Sequence, residues 1–159
     1  MEKPNTANNK ILVLGVGNLI LGDEGIGIHA IKYLENQDLG KDIDLLDGGT
    51  GGFHMLSVMD DYKTLIMIDA TIDSKEEGSL SLIEPKFASD FPKALSSHDI
   101  GLRDLVETAT LLGHMPKIYL ITVSVTDISE VRMTLSEKVE NSLPEVGKLV
   151  KSILKEIKK

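Results

Sequence analysis

ILVLGVGNLILGDEGIG, residues 11–27, holds the reading that decides the fold. Ile11–Leu14 is a short, continuous apolar run, as a strand buried on both faces requires. Gly15, Gly17, Gly22, Gly25 and Gly27 follow, with Asn18 among them; glycines let another backbone or a ligand come close. Asp23–Glu24 then opens a helix expected to run to about Asn36, with Ile26, Ala30, Tyr33 and Leu34 on its inner face. Strand, glycine turn and helix N-terminus together form a phosphate cradle in many proteins. Here two carboxylates stand where the phosphate would sit. A dinucleotide fingerprint would need glycine at Ile20, and a P-loop would need Lys–Ser/Thr in place of Asp23–Glu24. Neither motif is complete on these residues, although Asp47, after the second strand, stands where a ribose-binding acid would, and a nucleotide-binding protein with a degenerate loop stays an alternative.

The rest of the chain repeats the alternation. Ile43–Asp47 reads as a second strand, followed by the glycine-rich Gly48–Gly52, and a short helix is expected over Phe53–Asp60 with His54 in it. Leu65–Asp69 is a third buried strand ending on its aspartate. Ser79–Ile83 alternates serine and leucine like a half-exposed edge strand, and Pro85–Lys93 is irregular. Ser96 or Ser97 caps a helix reaching about Leu112, with Leu102, Leu105, Val106, Ala109 and Leu112 inward. Ile118–Val125 is a fifth strand. The segment from Thr134 onward has helical spacing, and Pro144 either kinks it or restarts it with Ser142 as cap and Glu145 reaching back. Strands alternating with helices predict a mostly parallel sheet with helices on both faces. Residues 1–159 are read as a single domain, with 1–10 a loose tail.

Composition narrows the function. Acidic residues number 25 against 17 basic ones, for a net charge of −8, which disfavours sequence-independent nucleic-acid binding. There is no cysteine, so there is no disulfide framework, thiolate metal site or cysteine nucleophile; this suits a reducing cytoplasm. No apolar run reaches the length of a membrane span. The sequence has neither the G-x-S-x-G elbow of serine hydrolases nor an H-E-x-x-H zinc helix.

Active sites of such sheets form outside the carboxyl ends of the strands. Glu24, Asp47 and Asp69 fall there, and His98 opens a helix whose end faces the same rim. Unpartnered carboxylates are costly to bury, and a cation resolves the difficulty. Two or three oxygens with one imidazole suit zinc or nickel better than magnesium or calcium. Each residue also has a structural role open to it. Asp23 and Glu24 could serve a helix N-terminus, Asp47 a turn, Asp69 a cap, and His98 a place at the surface. His29, which borders the inner face of its helix, reads as a packed or surface side chain, and His114 as a residue of the helix terminus.

LGVGNLILGDEGIGIHAIKYLE, followed by LLDGGTGG, LIMIDA and SSHDIGL, resembles the hydrogenase maturation endopeptidases in motif order and approximate spacing. The resemblance implies a three-layer α/β/α fold with a five-stranded, mostly parallel sheet. It implies an endopeptidase that removes the C-terminal peptide of the immature nickel–iron hydrogenase large subunit after nickel insertion. Glu24, Asp69 and His98 match the family's metal-binding positions, and Asp47 the acid associated with precursor recognition or cleavage. The nickel would arrive in the substrate, with zinc or cadmium able to substitute. The expected partner is the large-subunit precursor, met by a monomer in the cytoplasm.

Overall fold

The computed structural model describes residues 9–49, 55–92, 102–113, 115–126, 128 and 130–159. Most of the tail, the residues 50–54 with His54, the Ser96–Ser97 cap with His98, and His114 lie outside the described residues.

Five strands form one sheet: β1 Ile11–Gly15, β2 Ile43–Asp47, β3 Thr64–Thr71, β4 Leu80–Ile83 and β5 Lys117–Ser124. Their order is β2-β1-β3-β5-β4. The first four in that order run parallel, and β4 pairs antiparallel to β5 at one edge. The helices are α1 Ile26–Leu34, α2 Met55–Asp60, α3 Leu102–Leu111, α4 Glu137–Glu140 and α5 Leu143–Ile157. None of the described helices is long and apolar enough to cross a membrane.

Two apolar layers sandwich the sheet because alternate residues of a strand face opposite ways. Val13, Ile66, Ile68, Ile121 and Val123 pack with Ile26, Ala30 and Leu34 of α1 and Val146, Val150 and Ile153 of α5. Leu12, Leu14, Leu65, Met67, Ile118 and Leu120 pack with Met55 and Met59 of α2 and Leu105, Val106 and Ala109 of α3. The expected three-layer architecture is the one observed.

Four local expectations are corrected. Asp23 and Glu24 do not begin an α-helix; they form a 3-10 turn, Gly22–Gly25, ahead of α1. Asp69 does not end its strand, because β3 runs on to Thr71 in an eight-residue ladder with β5. Leu112 lies past the end of α3 and is exposed. The chain does restart at Pro144, but without the expected cap: Ser142 keeps helical angles (φ −77, ψ −17), and its hydroxyl donates to the Val139 carbonyl instead.

Candidate active site

The turn after β1 is packed backbone to backbone against its neighbours. A Cβ on Gly27 would collide with the carbonyls of Val16 and Ile68, and one on Gly15 with the carbonyl of Gly27. Gly17, at φ 146, lies against the Glu24 carbonyl. Side chains at these positions would push the 3-10 turn off the sheet. The glycines that suggested a phosphate cradle serve instead to bring Glu24 down onto the ends of β1 and β3.

Both acids of that turn are buried, Asp23 1% and Glu24 4% exposed. Asp23 is engaged in structural contacts. Its carboxylate accepts from the Ser136 amide at 2.7 Å and the Ser136 hydroxyl at 2.7 Å, and Arg132 Nη2 lies 3.9 Å away. The Ser136 hydroxyl is also 2.9 Å from Glu77 Oε1; with one proton to give, it is shared between two carboxylates. The segment around Arg132 is strapped on further, its amide donating to the Ile20 carbonyl at 2.8 Å and its own carbonyl accepting from Gly22 N at 2.7 Å. This tether was missed from sequence, where Asp23 read as a helix cap. Its partner stands 113 residues away, and no local pattern announces it.

Asp69 sits one residue beyond the level at which β1 stops, since Gly15 pairs with Ile68. It is half-buried, and its Oδ1 accepts from the Ala70 amide at 2.8 Å. By strand alternation it follows Leu65 and Met67 onto the α2–α3 side of the sheet. Directly across from it on β5 stands Thr122, buried, and across from Thr122 on β4 stands Ser81. Asp69, Thr122 and Ser81 thus form one row over three strands.

Asp47 is the last residue of β2, opposite Gly15, and exposed. Its Oδ1 accepts from Gly49 N at 2.9 Å, the turn role that the sequence left open. With β1 between them, β2 and β3 stand about 10 Å apart at the usual strand spacing. Asp47 therefore belongs to the same edge as Asp69 but not to the same cluster.

His29, on α1, is half-buried, and its Nε2 has no hydrogen-bond partner among the described residues. Burial, then the charge of Lys32, lowers its pKa, against opposing contributions from the Met133 backbone, Glu140 and Asp23. It packs near the turn, with its ring beside Gly25.

Glu24 and Asp69, two of the three residues matched to metal ligands, thus come from different elements to one end of the sheet. His98 lies outside the described residues, and among those described no three His, Cys, Asp or Glu side chains form a metal-holding group. The segment that carries His98 is bounded by Pro92 and Leu102, and its flanks are joined: Arg103 Nε donates to the Phe91 carbonyl.

The chain matches the family model described as hydrogenase maturation protease over residues 28–156, a span that includes Asp47, Asp69 and His98 and begins just after Glu24. It is 31% identical over 150 residues to the Hydrogenase 2 maturation protease of Escherichia coli K12, covering 92% of each chain. It is 30% identical over 141 residues to the hydrogenase expression/formation protein HupD of Rhizobium leguminosarum, covering 85% of this chain and 69% of that protein. Among solved structures, the hydrogenase maturating endopeptidase HybD of E. coli superposes with a TM-score of 0.83 at 31% identity, over 92% of this chain and 93% of that one. The fold is that of a class of maturating endopeptidases. The chain belongs to the hydrogenase maturation protease family.

Proposed function

We propose that this protein is the endopeptidase that removes the C-terminal peptide of a nickel–iron hydrogenase large-subunit precursor, and that it recognises nickel already inserted in that precursor. The observation that carries this reading is the convergence of Glu24 and Asp69 on the carboxyl edge of the sheet in a chain of this family. Both are oxygen donors on rigid supports. Glu24 is set by main-chain packing of the glycine turn, and Asp69 by a strand paired with β1 up to Ile68 and with β5 through Asp69 itself.

The precursor's nickel is part of the substrate. Glu24 and Asp69, with His98, would complete its coordination, so that cleavage follows only when the metal is in place. A divalent ion held this way polarises a carbonyl or acidifies a water. Asp47 lies two strands from Asp69 and is anchored in its own turn. That position favours contact with the extended precursor chain, from which it could also act as general base. Zinc or cadmium would fit the same oxygen-and-imidazole set.

The test is cleavage of the nickel-loaded precursor from the same organism beside the metal-free form, followed by the mass of the precursor's C-terminus. Wild type should shorten only the nickel-loaded form, and Glu24→Gln, Asp69→Asn and His98→Ala should each fail to do so. Nickel-dependent binding with an intact tail would make the protein a docking module. Equal cleavage of both forms would remove nickel from the recognition step.

A further inference from the structure

The row Asp69–Thr122–Ser81 leads away from the acidic edge into an open cleft of about 640 Å³. Thr71, Ser81, Phe91, Pro92, Arg103 and Thr122 are among its walls. Ser81 stands two strands from Asp69, about 10 Å at the usual spacing, a distance that about three residues of extended peptide span. A chain lying across Asp69 therefore enters this cleft within a few residues.

The cleft's charges are unevenly committed. Asp73 accepts from the Ser124 hydroxyl at 2.8 Å and from the Lys75 amide at 3.2 Å. Asp90 accepts from the amides of Lys86 and Phe87, both at 3.0 Å. Asp73 is thus tied to the end of β5 and to its own loop, and Asp90 to its own loop. The cations are less so. Lys75 Nζ donates to Ser81 Oγ at 2.9 Å and lies 3.9 Å from Asp73. Among the described residues Arg103 spends only Nε, on the Phe91 carbonyl, and pairs with no carboxylate. Its remaining N–H groups form the fork that matches a carboxylate. On a chain of net charge −8, a cleft with two cations beside an acidic edge is suited to an anionic guest.

We propose that this cleft receives the part of the precursor that is cut away, and that Arg103, assisted by Lys75, holds a carboxylate of that departing peptide. The assignment rests on the protease reading above and gives it a direction: the retained protein lies toward Glu24, and the tail crosses Asp69 and Thr122 toward Ser81. The carboxylate is either the peptide's terminal one or an acidic side chain near it.

The experiment titrates full-length protein with a synthetic peptide copying the precursor's C-terminal end. The peptide is made as free acid, as C-terminal amide, and with its acidic side chains replaced by their amides. Wild type should bind the free acid, and one of the two neutralised peptides should bind about tenfold more weakly, which identifies the source of the carboxylate. Arg103→Gln should lose the same factor and become indifferent to that neutralisation, with Lys75→Gln intermediate. Arg103→Lys, which keeps the charge but not the bond from Nε to Phe91, should retain part of the discrimination; a purely structural arginine would not. In precursor cleavage, Arg103→Gln should raise KM with kcat held within about twofold. If wild type shows no preference among the peptides, or the cleft variants bind all three like wild type, the cleft assignment falls while cleavage stands. If wild type fails to cleave the nickel-loaded precursor, the protease reading itself falls and takes the assignment with it.

Discussion

Asp23 holds Ser136 at two points, its carboxylate accepting from the backbone amide and from the hydroxyl, both at 2.7 Å. The two bonds join the turn that carries Glu24 to the start of α4; Asp23 is almost wholly shielded from water, Ser136 partly. Asp23→Ala should strip two charge-assisted hydrogen bonds and leave the Ser136 amide without its acceptor, lowering stability by roughly 3 kcal/mol. Ser136→Ala keeps the amide bond and should lose about 1 kcal/mol. Urea unfolding of the two variants checks the difference, and equal losses would mean that the amide bond contributes little.

Gly27→Ala should be worse than its one methyl suggests. The added atom meets two backbone carbonyls, Val16 and Ile68, and neither can swing aside as a side chain would. Overpacking of this kind costs about 1–3 kcal/mol or more. It should also displace Glu24, so the folded fraction should cleave precursor poorly. Thermal melts and cleavage rates at matched folded fraction would show both effects; a fully active, stable Gly27→Ala protein would contradict the packing described.

Tyr62 donates to Asp44 Oδ2 at 2.6 Å, and this bond, with some burial, pushes its phenol up to about 12 while holding Asp44 below its ordinary value. A phenol raised from 10.0 in the unfolded chain contributes stability that is intact below pH 10 and disappears between about 10 and 12. Absorbance titration should show a tyrosine ionising late, near 12. In Asp44→Asn that late phase should move back toward 10.0.

For His29 the sign is opposite. Its folded pKa lies below the model-peptide value of 6.5, so the unfolded chain takes the proton first. Stability should therefore be complete above pH 6.5 and fall as the pH drops toward the folded value. His29→Gln should flatten that part of the stability–pH curve, and an unchanged slope would assign it to other groups.

The fold was legible because apolar runs and helical spacing are local signals. Ile11–Leu14, Leu65–Ile68 and Ile118–Val125 could only be buried strands, and Leu105, Val106 and Ala109 only an inner helix face. What escaped depends on partners distant in sequence. Leu65–Asp69 looked finished at its acid, yet the strand continues through Ala70 and Thr71 because β5 is there to pair with them. Ser142 carried the right residue type for a cap but not the right backbone, since α4 turns into α5 without leaving helical angles. Of the edge, Asp47 followed from the end of its strand, whereas Asp69 lies two residues short of the end of β3 and reaches the edge because β1 stops beside Ile68. The division of labour within Asp23–Glu24 did not follow, because two adjacent acids look alike until Ser136 is seen to take one of them.

The close contact of Gly15, Gly17 and Gly27 has a consequence for descent. Where Glu24 sits relative to β3 is determined by carbonyls and α-carbons, atoms that every residue possesses, and not by the shapes of particular side chains. The surrounding core can exchange valine for isoleucine or leucine for methionine over long divergence without carrying the acid out of place. A chain that kept only about three residues in ten of this one, as the identities to its relatives run, would still have the atoms that make these contacts.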